Sequence, residues 1–301
     1  MSEPAPHSRQ TALPPIDNKR GAMWMFAASI CFSVMIIMVK RLGTDFAAPE
    51  IAFFRCLLGL AFIVPFVARQ GFAVFRTRSP GKHLIRVLCA VVGINLSFYA
   101  ATHLPIATAT SLNFTRPLFM IILGVLVLGE VVRWRRGVAT AVGFAGVIVM
   151  LGPSEFGTSL PALAALTAAA TTAGAMAVVR TQDAVDGPAT IMVWFATGTA
   201  VLNIVPAALV WETPQTMQQW VLLASVGLIS SLGQYLMIRA FILGEATVMN
   251  PIDYSQIILT AILGYFAFGE VPSMWTWVGA AIIVASTLYI LFREQALAKG
   301  R

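Results

Sequence analysis

Residues 113–131 read NFTRPLFMIILGVLVLGEV, and residues 253–271 read DYSQIILTAILGYFAFGEV. Laid over each other at an offset of 140, Ile122-Leu123-Gly124 falls on Ile262-Leu263-Gly264, and Gly129-Glu130-Val131 on Gly269-Glu270-Val271. The register continues upstream: Leu88, Gly93, Leu96 and Ala100 fall on Leu228, Gly233, Leu236 and Ala240, and Val39-Lys40 on Val179-Arg180. Apolar stretches share Leu and Ala by chance. A Gly-Glu pair held in one unbroken register is harder to produce that way, so the chain is read as two copies of one unit.

Working outward, runs of mostly apolar residues recur at the length that spans a bilayer as a helix. They lie at about 22–40, 49–68, 83–101, 106–128, 134–151, 159–179, 189–210, 219–240, 246–268 and 274–292. Pro49, the stretch 76–81, Pro105, Gly129-Glu130, Gly152-Pro153 and Gly187-Pro188 mark the breaks. Five spans per copy is an odd number, so the second copy enters the membrane from the opposite side. The expected fold class is an all-α membrane protein of ten transmembrane helices, arranged as two inverted five-helix repeats. Inverted repeats are associated with alternating access around a site near the midplane. The expected division is a disordered cytoplasmic tail at 1–20, repeats at 21–152 and 159–293, and a cytoplasmic tail at 294–301.

Composition agrees. Of 301 residues 58% are hydrophobic and only 11% charged, against about a quarter charged in a soluble domain. The alternating ten-residue segments of a membrane barrel are absent. Net charge is +7, which raises nucleic acid as a partner, but the basic residues lie in short loops between apolar runs. With the N-terminus inside, all but four of the 20 Lys and Arg fall on the inner side; Lys40 and Arg41 lie outside, and Arg55 and Arg116 within spans. This asymmetry predicts both termini in the cytoplasm of an inner-type membrane and excludes nucleic acid as the reason for the charge. The first apolar run lacks a small-x-small cleavage site and is expected to be an uncleaved helix. Cys31, Cys56 and Cys89 all sit in apolar runs with no C-x-x-C, so neither a disulfide frame nor a metal site is expected.

The sequence resembles the drug/metabolite transporter superfamily in its EamA-type branch, over about residues 21–293. The resemblance rests on Pro49-Glu50-Ile51-Ala52-Phe53-Phe54-Arg55, on Pro117-Leu118-Phe119 running to Leu128-Gly129-Glu130, on Val142-Gly143-Phe144-Ala145-Gly146-Val147, and on Phe268-Gly269-Glu270. The first half is also similar to S-adenosylmethionine uptake carriers of that superfamily. The resemblance implies ten helices, an inverted repeat, a central cavity lined mainly by spans one, three, four, six, eight and nine, and secondary transport without a cofactor. The expected partners are a small organic solute, the lipid bilayer and a coupling proton. Amino-acid or drug export is the alternative. An intramembrane enzyme is a remote one, because no H-E-x-x-H or G-x-S-x-G stands in the chain.

Charges inside a bilayer are costly and face a partner or a water-filled cavity. Arg116 falls near the centre of span four, and Asp253 four residues from the centre of span nine, about 6 Å toward the cytoplasm. Asn113 shares a helix face with Arg116, and Asn250 and Tyr254 one with Asp253; Gln256 is the repeat equivalent of Arg116. These six are read as substrate-binding, with Tyr99 and Gln234 from spans three and eight. The competing reading is a structural Arg116–Asp253 ion pair. Asn95, Tyr235, Ser33 and Trp24 are further polar or aromatic groups, Trp24 being equally an interface anchor. Arg55 is read as snorkelling or bonding backbone carbonyls. Glu130 and Glu270 are read as cap or gate contacts. Pro117 and Pro251 each kink a span, whether for function or for packing.

Overall fold

The structure is a computed structural model that describes residues 17–60, 64, 67–68, 71–128, 134–151, 159–182, 186 and 188–299. Among these residues every regular element is helical. Span one is Asn18–Leu42, span two Ala48–Gly59, span three Pro80–His103, span five Trp134–Leu151, span six Leu160–Gln182, span seven Pro188–Ala208, span eight Met217–Leu243 and span ten Met274–Lys299. Span four is two helices, Ile106–Asn113 and Arg116–Leu128, and span nine is Ala246–Asp253 followed by Ser255–Phe268. Among the described residues nine of the ten are long and apolar enough to cross a membrane. The exception, span two, is described continuously only to Leu60.

Two boundaries differ from the sequence reading, each for a local reason. Span one begins inside the stretch expected to be a tail, because the Asp17 side chain accepts from Arg20 N at 3.1 Å and caps the first turn. Span ten continues past 293 to Lys299: Glu294, Gln295, Ala296 and Leu297 are strong helix formers, so polarity ends the apolar run without ending the helix. The breaks within spans four and nine are taken up below. Residues 1–16, 300 and 301, and Glu130, lie outside the described residues.

Burial is inverted relative to a water-soluble fold. Leu209 is 82% exposed, Phe266 79% and Leu126 75%, side chains that only lipid would solvate without penalty. Inside, helices meet through small residues, which let backbones approach where no hydrophobic effect drives them together. Ala168, Ala169 and Ala173 of span six are buried.

The repeat is legible in the packing. Span one packs on span eight and span three on span six; span one meets span nine as span six meets span four. Spans two and seven pair with each other, and so do spans five and ten. Exchanging the two repeats turns this pattern into itself. Single residues show the same relation. A Cβ on Gly93 would lie 2.9–3.1 Å from the hydroxyls of Thr172 and Thr171 in span six. On its equivalent Gly233, a Cβ would lie 3.0–3.2 Å from Phe32 and Cys31 in span one. Thr171 and Thr172 are themselves the equivalents of Cys31 and Phe32. Since the halves have five spans each, the axis relating them lies in the membrane plane.

Candidate functional site

Pro117 has no N–H, so the carbonyl four residues earlier, on Asn113, loses its helical partner. Arg116 supplies one: its Nε donates to the Asn113 carbonyl at 2.9 Å. The turn tightens in front of it. Phe114 N is shared between Thr110 O at 3.3 Å and Ser111 O at 3.1 Å, and Thr115 N reaches Leu112 O at 3.1 Å, a three-residue closure in place of four. Span nine breaks at Tyr254, where Tyr254 N reaches Asn250 O only at 3.4 Å and Ile257 N turns to Tyr254 O at 3.0 Å. At an offset of 140 the two breaks coincide.

Around them the fold gathers polar groups from five spans. Ser29 of span one donates to Asp253 Oδ1 at 3.5 Å. Asn113 Nδ2 donates to Ser97 Oγ of span three at 2.9 Å. The Tyr254 hydroxyl lies 2.5 Å from Thr287 Oγ1 of span ten, and its ring meets Phe114 edge-on at 4.8 Å. Asp253 and Tyr254 are the charged and ionisable neighbours of Arg116. Arg116 and Asp253 nevertheless do not form an ion pair: among the described residues the pairs are Arg20–Asp17, Lys40–Glu270 and His83–Asp186. Both are half-buried, near enough to feel each other's charge but with no nitrogen–oxygen contact within 4.0 Å, which leaves a gap.

The other sequence-predicted residues divide. Gln256 and Asn250 are half-buried beside this cluster on span nine. Tyr99 stacks against His103 at 4.2 Å, toward the end of span three, and Gln234 lies on the exposed side of span eight. Asn95 donates to Asn203 of span seven at 2.7 Å; Tyr235 is exposed. Ser33 returns its hydroxyl to the Ser29 carbonyl, and Trp24 lies under the Arg239 guanidinium. Arg55 sits over the Phe98 ring at 5.9 Å, and its buried Nε has no hydrogen-bond partner. Pro251 lies inside its helix just before the break, Pro117 just after the other.

At one mouth of the bundle Glu270 pairs with Lys40 of span one. Lys40 also donates to Leu104 O at 2.7 Å, and Glu270 accepts from Ile106 N at 2.8 Å. Four segments are thereby tied: the ends of spans one, three and nine and the start of span four. The opposite end carries different chemistry. There Asp186 accepts from Thr77, Ser79, His83 and the Arg78 amide. These hydrogen bonds, Thr77 foremost, hold its carboxyl below the usual range.

Sequence reasoning passed over Ser29, Ser97 and Thr287, because single hydroxyls in apolar runs usually bond their own backbone. It counted Lys40 as a topology signal, although the Val39-Lys40 repeat match had already marked the position.

A model of the EamA-like transporter family matches residues 19–152 and again residues 159–292. The S-adenosylmethionine uptake transporter of Rickettsia bellii is 33% identical over 278 residues, covering 91% of this chain and 94% of that protein. The riboflavin transporter of Vibrio cholerae is 31% identical, covering 90% and 92%, and the pseudopaline exporter of Pseudomonas aeruginosa is 32% identical, covering 90% and 95%. A solved crystal structure aligns with a TM-score of 0.62 over 92% of this chain and 99% of the other, at 19% identity, a likeness of fold.

Proposed function

The chain belongs to the EamA-like transporter family, and from that premise we propose that it carries a zwitterionic metabolite with an amino-acid head, of the S-adenosylmethionine kind, through the gap between Arg116 and Asp253. The supporting observation is that gap. Two opposite charges are brought to coincident breaks in spans four and nine and do not pair with each other. An unpaired charge at this depth costs several kcal/mol, so the arrangement is stable when something bridges it. A solute carboxylate suits the guanidinium fork, which binds carboxylates bidentately; an ammonium or sulfonium suits Asp253. Arg116 is pre-set for this role, since its Nε is anchored on the Asn113 carbonyl and its rotamer is restricted before the solute arrives.

Alternating access follows from the inverted repeat. On this reading the Lys40–Glu270 pair is the closure of the outer mouth. The placement of lysine and arginine supports a reading with both termini in the cytoplasm of a bacterial inner membrane. Transport requires no chemistry on the solute. Asp253 is also the group that would take a coupling proton.

The test is counterflow in proteoliposomes, loading unlabelled S-adenosylmethionine and following entry of the labelled compound. Arg116→Gln and Asp253→Asn should each lower the rate by more than about 100-fold, the usual consequence of truncating one side of a buried charge-assisted contact, while both proteins insert and fold. Arg116→Lys keeps the charge, loses the fork and should retain a small fraction of the rate. If Asp253 carries the proton, Asp253→Asn keeps solute-for-solute exchange and loses accumulation driven by a pH gradient; if it anchors the cation, both fail. Wild-type rates in Arg116→Gln and Asp253→Asn would make the two charges structural. A second reading has its own observation: the half-buried Tyr254 ring, held edge-on against Phe114, offers one aromatic face to a neutral ring system. Counterflow of riboflavin that survives Asp253→Asn would select it.

A further inference from the structure

Spans five and ten, antiparallel neighbours, leave a groove of about 590 Å³ on their outer side. Its floor is made by the buried small residues Ala139 and Ser286, and its walls by Val138, Val142, Ile282 and Ala285. Val138 is 52% exposed and Val142 48%, so the groove opens to the membrane and not to the interior of the bundle. Its deep end closes where the two backbones touch: a Cβ on Gly279 would lie 2.5 Å from the Gly146 carbonyl oxygen. The other end is lined by Trp134, Arg135 and Tyr289. Arg135 lies over the Trp134 ring at 5.5 Å, and Arg293 donates to the Tyr289 hydroxyl at 3.1 Å. Trp134 begins span five and Arg293 lies near the end of span ten, so the aromatic rings and both guanidiniums share one end of the bundle.

We propose that this groove is a binding site for one anionic phospholipid of the cytoplasmic leaflet, with an acyl chain along Val138, Val142 and Ile282 and the phosphate between Arg135 and Arg293. Three observations select that occupant. The groove is apolar along its length, is open to lipid and runs parallel to the helices, as an acyl chain does. Cationic groups stand only at its mouth, and basic pockets between transmembrane helices on the cytoplasmic side bind anionic head groups. The amphipathic Trp134 and Tyr289 rings lie at the level where an interface is expected. Ordinary surface lipid would need neither the small-residue floor nor two arginines flanking one opening.

Neither Arg116 nor Asp253 lines the groove, and the site is tested without transport. The full chain is purified in mild detergent and examined by native mass spectrometry after incubation with equal amounts of phosphatidylglycerol and phosphatidylethanolamine. The wild type should retain one phosphatidylglycerol in preference. Arg135→Ala and Arg293→Ala should each lower that preference about fivefold, from about 1 kcal/mol per basic residue near a membrane surface. Ala285→Trp, which fills the groove from its exposed wall, should abolish retention of either lipid while the thermal transition persists. Inorganic phosphate at millimolar concentration should not displace the lipid. Equal retention of both lipids by the wild type, an undiminished preference in the Arg135→Ala/Arg293→Ala protein, or displacement by phosphate alone would each overturn the assignment.

Discussion

Span four breaks at Phe114 and Thr115, and span nine breaks at Tyr254, positions that coincide when the repeats are laid over each other. The residues that produce the two breaks differ. In span four the proline follows the break, and an arginine turns back to satisfy the carbonyl that the proline leaves open. In span nine Pro251 precedes the break, the arginine position is Gln256, and the charge has moved three residues earlier and changed sign, to Asp253. The repeat therefore conserves a backbone shape while its side chains diverge. A two-fold arrangement of identical side chains would set like charges against each other. The divergence instead sets a cation across from an anion and makes a site suited to an asymmetric solute.

The largest effect that would break this comparison lies at the ends of the two spans. Both close in Gly-Glu, and Glu270 pairs with Lys40. The side chains of Lys40 and Glu270 are 16% and 19% exposed, so a double-mutant cycle of Lys40→Gln with Glu270→Gln should give a coupling of about 2–3 kcal/mol, between surface and buried pairs. External labelling of Ser29→Cys should be faster in either single variant, as the mouth opens. A coupling near zero, with labelling unchanged, would remove the pair as a closure.

A smaller effect sharpens the difference at the breaks. Pro117→Ala returns an N–H that can compete with Arg116 for the Asn113 carbonyl, while stability should change by less than about 1 kcal/mol, because Pro117 stands in the first turn of Arg116–Leu128, where proline costs little. The released guanidinium should then bind solute more weakly, seen as a higher half-saturation constant. Pro251→Ala touches no arginine and should leave solute affinity close to wild type. An equal loss of affinity in both variants would show that Arg116 gains nothing from its anchor.

The smallest effect tests the symmetry itself. Gly93→Ala and Gly233→Ala place a methyl at nearly the same separation from equivalent helices. Each should cost about 1 kcal/mol, at the low end for overpacking, by thermal unfolding in the same detergent. A difference much larger than that would mean the two interfaces are not equivalent.

Much of this was legible in the chain. Helix number, the five-plus-five division and the odd count that inverts the second copy follow from apolar run lengths, because a bilayer fixes the length of a helix that crosses it and forbids unsatisfied backbone. Arg116 and Asp253 were legible for the same reason, as charges where lipid tolerates none. The fold decided the rest. Nothing in the sequence states that Arg116 spends its Nε on Asn113 and stops short of Asp253, because that depends on the backbone path at a proline. Nor does it identify Ser29, Ser97 and Thr287 as neighbours of the site, since a hydroxyl reads alike whether it bonds its own helix or another. Lys40 and Glu270 lie 230 positions apart. Run length and charge are properties of one segment against its solvent, which the sequence contains. Which side chains meet across spans depends on the rotation and crossing of helices set by small-residue contacts such as Gly93 and Gly233, and only the packed bundle fixes those.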